Sequence, residues 1–131
     1  MAVRLGINSF THDTSVALID DSSPIFMIEE ERYTRNKHQQ GFMFMSGPPK
    51  NAIKDALDIS KPDFFCHVKD IHHSGKEFNY QQKNFKEFCY NLDTDLSSSS
   101  FYGHHKCHAA SCFYPSPFDV SYVCTLDAEG D

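Results

Sequence analysis

Three histidines, His104, His105 and His108, fall within one short stretch, and on a helix positions 104 and 108 stand one turn apart on the same face. Two imidazoles placed in that way can chelate one metal ion. The small residues Ala109, Ala110 and Ser111 that follow suit close helix packing. A bare HxxxH is more often an ordinary pair of surface histidines. Two ligands also leave a tetrahedral or octahedral site unfilled, so a carboxylate from elsewhere and water would have to complete it.

A second concentration of reactive groups lies at Asn8 to Ser15, where Ser9, Thr11, His12, Asp13, Thr14 and Ser15 can donate and accept protons. A tight polar loop accounts for most of these. His12 adds chemistry, because an unperturbed imidazole with a pKa of about 6.5 can take a proton from a hydroxyl near neutrality. The stretch EEERYTRNKH at 29–38 sets carboxylates before Arg35, Lys37 and His38. A solvated strand end explains it simply, and a cationic fork converging on phosphate oxygens explains it more sharply. The acidic turn DAEGD at 127–131 is a weak pattern that can hold Mg²⁺ or turn backbone N–H groups toward phosphate. His67, His72 and His73 have no partner motif and read as structural.

These groups need a scaffold, and the chain supplies its pieces in order. VRLGINS at 3–9 and TSVALID at 14–20 have strand character and form a hairpin. Asp21 to Pro24 make a turn, and IFMIEEE at 25–31 forms a third strand, giving an antiparallel meander. Residues 32–47 show no regular period and read as a long loop. PKNAIKDALDIS has helical spacing with Pro at its start, and Lys61-Pro62-Asp63 ends that helix before a short buried strand, FFCHV. NFKEFCYNL at 84–92 sets Phe85, Phe88, Cys89 and Leu92 on one helical face. The serine run 97–100 reads as a loop, HHKCHAASCFY as a helix, Pro115 to Phe118 as its end, and VSYVCTL at 120–126 as a buried strand. The order βββαβαβ predicts a mixed α/β sheet with helices on its faces.

Composition bounds the function. The 131 residues allow one compact domain, with 12 Phe to build a core. Lys plus Arg number 12 against 18 Asp plus Glu, a net charge of -6 without a basic run, which argues against a surface holding nucleic acid through its phosphates. No apolar run reaches the roughly 18–20 residues of a bilayer span, and the N-terminus lacks the pattern of a secretion signal. Five cysteines without a CxxC pair read as reduced thiols. Together these features predict a soluble cytoplasmic protein with a small-molecule substrate and no nucleic-acid or membrane partner.

LGIN followed by HDTSVALI, MIEEERYTRNKH, HHKCHAASCFYPSPF and a strand into DAEGD resembles the N-terminal part of the O-carbamoyltransferases of the nodulation and antibiotic-tailoring type. The order and spacing of these motifs carry the resemblance, which leaves out roughly residues 39–100. It implies an α/β, actin-like ATPase (RNase H-like) mixed sheet with flanking helices, here an incomplete half. It also implies transfer of a carbamoyl group, through a carbamoyl-adenylate made from carbamoyl phosphate and ATP, to a hydroxyl of a small molecule.

Under the same resemblance His104 and His108 match metal ligands for iron or another divalent ion. His12 matches the residue that deprotonates the acceptor, with Asp13 orienting its loop. Arg35 and Lys37, with His38 beside them, match a basic segment near the carbamoyl or phosphate groups. Asp127 and Gly130 match a phosphate-binding loop. Ala128 stands where the family has Gly, and its Cβ hinders close backbone approach to a phosphate; Asp131 stands where it often has Glu. Family members continue for several hundred residues, so residues 1–131 read as an N-terminal fragment of the transfer domain, inactive alone and, with an unpaired sheet edge, marginally stable or self-associating. The weighed alternatives are a threonylcarbamoyl-type transferase acting on tRNA and a non-catalytic metal- or nucleotide-binding module.

Overall fold

The computed structural model describes residues 1–9, 12–21, 23–39, 41, 47–69, 83 and 99–126. Within them, β1 (Val3–Asn8), β2 (Ser15–Asp20) and β3 (Ser23–Glu29) form the expected meander. α1 (Glu31–Thr34) and α2 (Lys50–Ile59) follow, then β4 (Phe64–Lys69), β5 (Ser99–Gly103) and α3 (His104–Phe113).

The five strands make one mixed sheet in the order β3-β2-β1-β4-β5. β2 is antiparallel to both β1 and β3, while β4 and β5 run parallel to β1. Period-2 alternation sends Leu5 and Ile7 of β1, Val16 and Leu18 of β2, and Phe65 of β4 to one face. There they meet Ala52, Ile53 and Ala56 of α2 in a single core cluster. Two alanines on the contacting face let the helix lie close to the sheet. β3 takes its place at the edge, where Pro24 costs no ladder bond and a register shift after Leu18 is absorbed. On the opposite face Gly6, Ala17, Cys66, Tyr102 and Cys107 help line a cavity of ≈ 230 Å³, and burial pushes the Cys66 and Cys107 thiols above the usual range.

Three expectations are corrected. Within the expected loop 32–47, Arg32 to Thr34 belong to α1, a single turn too short to show a period. Ser99 and Ser100 open β5 rather than lie in a loop, because pairing with Phe65 and Cys66 of β4 imposes the extended form that serine does not favour by itself. Residues 120–126 are not a buried strand: Val120, Tyr122 and Leu126 are exposed, and no ladder pairs them among the described residues. An apolar β-rich run becomes a strand only where a neighbour offers its backbone groups. The expected helix at 84–92, His72 and His73 lie outside the described residues. No helix among the described residues is long and apolar enough to cross a membrane.

α2 begins without a capping side chain of its own, since Pro49 is its N-cap. Glu30, only 5% exposed, supplies the acceptor from beyond β3. Its Oε1 takes the Asn51 backbone N–H at 3.2 Å and the Asn51 side-chain amide at 2.6 Å, and its Oε2 takes the Ala52 N–H at 2.9 Å. A carboxylate here answers both the orphan donors and the positive end of the helix dipole. Glu30→Ala should therefore destabilise the protein by about 2–3 kcal/mol, with Glu30→Gln less costly because one acceptor survives. Urea unfolding with an unchanged slope checks this, and a loss below about 0.5 kcal/mol for the alanine variant would contradict it.

Candidate functional site

The C-terminal ends of β1, β3, β4 and β5 and the start of β2 share one end of the sheet, as the pairs Asn8↔Ser15, Ser15↔Glu29, Ile7↔His67 and His67↔Phe101 require. The His12 loop, the Glu30 to Gln39 segment and the start of α3 all leave from that end. Open α/β sheets bind ligands beyond the carboxyl ends of their strands.

The β1–β2 turn is built by backbone bonds. The Asn8 side-chain amide donates to the His12 and Asp13 carbonyls at 3.3 and 3.2 Å. Thr14 N–H donates to Gln39 O at 3.1 Å, and Glu30 N–H to Thr14 O at 2.8 Å, so the turn is tied to both ends of the segment after β3. Thr14 is buried, and its hydroxyl has no partner among the described residues.

Asp13 sits in the left-handed region at φ 53 and spreads its carboxylate between two imidazoles. His12 Nδ1–H donates to Oδ2 at 2.6 Å, and His38 Nδ1–H donates to Oδ1 at 2.8 Å. Partial burial raises the Asp13 pKa, but the bonds from His12 and His38 and the charge on those rings outweigh it and hold the carboxyl below its usual value. A carboxylate can only accept, so each ring must carry its proton on Nδ1 and keep Nε2 for another partner. His38 N–H also donates to Glu31 Oε2 at 2.8 Å. Arg35, itself left-handed at φ 58, and Lys37 are exposed and form no ion pair among the described residues.

His104 and His108 lie on α3 at the expected spacing, and their Nε2 atoms converge to 2.8 Å. That contact is a hydrogen bond with a proton on one Nε2, and loss of that proton would leave both nitrogens free to serve as ligands. The pair thus fits a divalent ion as two of its ligands; no third His, Cys, Asp or Glu groups with them among the described residues. His105 turns away to bond Thr125 Oγ1 through Nδ1 at 3.0 Å. Asp127 and Gly130 lie outside the described residues.

Sequence reasoning set His67 aside and gave Ser9 no particular partner, yet the two form a buried pair with Ser9 Oγ 2.6 Å from His67 Nε2. The His67 ring also packs against Phe101 at 5.2 Å between centroids. The two residues are 58 positions apart, so only the β1–β4 register could have revealed the contact. Glu30 was likewise unmarked, because a cap supplied from outside the helix leaves no local signature. Tyr33 donates to Asp55 Oδ2 at 2.6 Å, and desolvation together with that carboxylate pushes its pKa up to about 12, which fastens α1 to α2.

One end of a mixed α/β sheet thus presents an aspartate-bonded histidine and an HxxxH pair. The chain belongs to the family described as carbamoyltransferase N-terminus, whose model matches residues 3–93 and 71–131. It is 27% identical over 156 residues to an uncharacterised protein of Synechocystis sp., covering 97% of this chain and 25% of that one. It is 27% identical over 145 residues to the nodulation protein NolNO of Sinorhizobium fredii, covering 95% of this chain and 20% of that one. The chain thus spans about a quarter or less of the length of these relatives. T. thermophilus RuvC in complex with Holliday junction substrate aligns with 84% of this chain and 68% of that one at 12% identity, with a TM-score of 0.47.

Burial lowers the pKa of His67 from 6.5 to about 4. The folded state then binds its proton less readily than the unfolded chain, so the stability contributed by the neutral ring is complete above pH 6.5 and is lost as pH falls toward 4. Between pH 7 and 4 the wild-type protein should lose roughly 2–3 kcal/mol more than His67→Gln does. Parallel pH-dependent melts check this, and parallel loss in the two proteins would contradict it.

Proposed function

We propose that this chain is the N-terminal part of the transfer domain of a carbamoyltransferase. In this reading the enzyme passes a carbamoyl group from a carbamoyl-adenylate, made from carbamoyl phosphate and ATP, to a hydroxyl of a small molecule. The fold is then part of an actin-like ATPase half of RNase H-like type, a reading supported by a meander that gives way to parallel crossover strands. Family membership supports the reaction class, and the net charge of -6 favours a small acceptor over tRNA.

The single observation that carries the mechanism is the His12 Nδ1–Asp13 bond. With Nδ1 engaged, Nε2 is the basic nitrogen of an exposed ring at the end of the sheet that the other motifs share. Nε2 takes the proton of the acceptor hydroxyl; the acceptor oxygen bonds to the carbamoyl carbon as the bond from that carbon to the adenylate phosphate oxygen breaks and AMP leaves. Asp13 fixes the tautomer and steadies the imidazolium that forms, as in other carboxylate-oriented histidine bases. Arg35 and Lys37, exposed and without an ion pair among the described residues, are the cations for phosphate or carbamoyl oxygens, with His38 beside them. His104 and His108 would hold a divalent ion, iron or a similar metal, that supplies Lewis-acid polarisation of a bound oxygen. Asp127 and Gly130 are assigned to phosphate binding on the motif alone.

In the full-length Synechocystis relative, alanine at the position matching His12 should cut carbamoyl transfer to the acceptor by roughly 10²- to 10⁴-fold while adenylate formation from ATP and carbamoyl phosphate continues. Separate assays of the two half-reactions check it. Unchanged transfer, or loss confined to adenylate formation, would refute the assignment.

A further inference from the structure

Ser9 and His67 are buried polar groups that the transfer reading leaves without a task. Ser9 is 0% and His67 2% exposed, and Ser9 Oγ lies 2.6 Å from His67 Nε2. We propose that His67 is a positioning residue: through Ser9 it holds the turn that carries His12, and through Phe101 the strand that leads into the His104/His108 helix. Its importance to catalysis rests on the reading of His12 as the base, whereas the placement itself does not.

The β1–β2 ladder ends at the pair Asn8↔Ser15, so Ser9 and Thr14 bracket the turn. At the Thr14 end two backbone bonds hold it, from Thr14 N–H to Gln39 O and from Glu30 N–H to Thr14 O. At the other end the Asn8 amide reaches the His12 and Asp13 carbonyls, which joins the turn to β1. The Ser9 hydroxyl reaches further, to the end of β4.

Side-chain alternation explains why Ser9 and His67 meet. Leu5 and Ile7 of β1 and Phe65 of β4 face α2, so Ser9 and His67, each two residues further on, continue that face beyond the apolar core. β1 and β4 are parallel with Ile7 beside His67, which leaves Ser9 within reach of the ring. On its other side His67 pairs with Phe101 in the β4–β5 ladder, and the two rings pack at 5.2 Å between centroids. β5, Ser99–Gly103, then runs without a break into α3, His104–Phe113. One imidazole thus touches the supports of both the proposed base and the histidine pair. A catalytic group displaced by about 1 Å can lose on the order of 100-fold in rate, so a shared support of this kind bears on the reaction.

The test uses the 131-residue chain labelled with ¹⁵N, as Ser9→Ala, His67→Phe and His67→Gln variants. Phenylalanine keeps a ring against Phe101 and loses the bond to Ser9, while glutamine drops the ring and keeps an Nε2 donor for the Ser9 oxygen. In Ser9→Ala and His67→Phe the Thr14 and Glu30 amides should exchange with solvent roughly 10- to 100-fold faster, as loss of one buried hydrogen bond implies, while the Ile53 amide of α2 keeps its rate. The His12 ring nitrogens should move toward their shifts in the urea-denatured chain. His67→Gln should do the reverse, leaving His12 as in the wild type and shifting the His104 and His108 rings. None of these readouts involves carbamoyl transfer, so they stand or fall apart from the proposed reaction. Unchanged His12 shifts and Thr14 exchange in Ser9→Ala would overturn the proposal. So would equal acceleration of the Thr14 and Ile53 amides, because the pair would then support the whole fold and not the turn, and so would His12 and His108 signals that move together in both His67 variants.

Discussion

The architecture depends on one buried carboxylate. Glu30 lies at the end of the sheet, where a charge shielded from water is tolerable only if every oxygen is satisfied. Its oxygens accept from the first turn of α2, and its own backbone N–H donates to Thr14. One residue therefore fixes the register between the helix that covers the core, the end of β3 and the turn that carries His12 and Asp13. Without the carboxylate α2 would keep its apolar face but lose the acceptor that sets its start against the sheet, while the backbone bond from residue 30 to Thr14 would remain.

From that joint the site follows by topology. Because β2 alone among the described strands runs against the others, the β1–β2 turn and the exits of β3, β4 and β5 all reach the same end. Asp13 then divides its two oxygens between imidazoles 26 residues apart in the chain, His12 and His38 (38 − 12), which a loop folded only by local preferences would not bring together. Beneath the surface the Ser9–His67 pair joins the end of β1 to β4 and, through Phe101, to the strand that leads into α3. The polar layer that positions the site is thus continuous with the apolar core.

Much of this was legible in the sequence where a periodic signal existed. Alternation in VRLGIN and SVALID, and proline ahead of a helical pattern at Lys50–Ile59, mark those elements without ambiguity. His104 and His108 were legible by spacing, and His12 by the hydroxyls around it. The rest depends on long-range pairing. β5 begins in serines that only β4 makes extended, and the exposed run 120–126 has strand composition but no neighbour. The bonds of Glu30 to α2, of His38 to Asp13 and of Ser9 to His67 span 21 to 58 residues, and no local pattern encodes them.

Asp13 orients His12 so that Nε2 is its basic nitrogen. The most direct test is the tautomer itself, read from long-range ¹H–¹⁵N correlation spectra of metal-free protein labelled in histidine, at a pH where the rings are neutral. Both His12 and His38 should show the nitrogen shifts of a protonated Nδ1 and an unprotonated Nε2. A proton on Nε2 of His12 would contradict it.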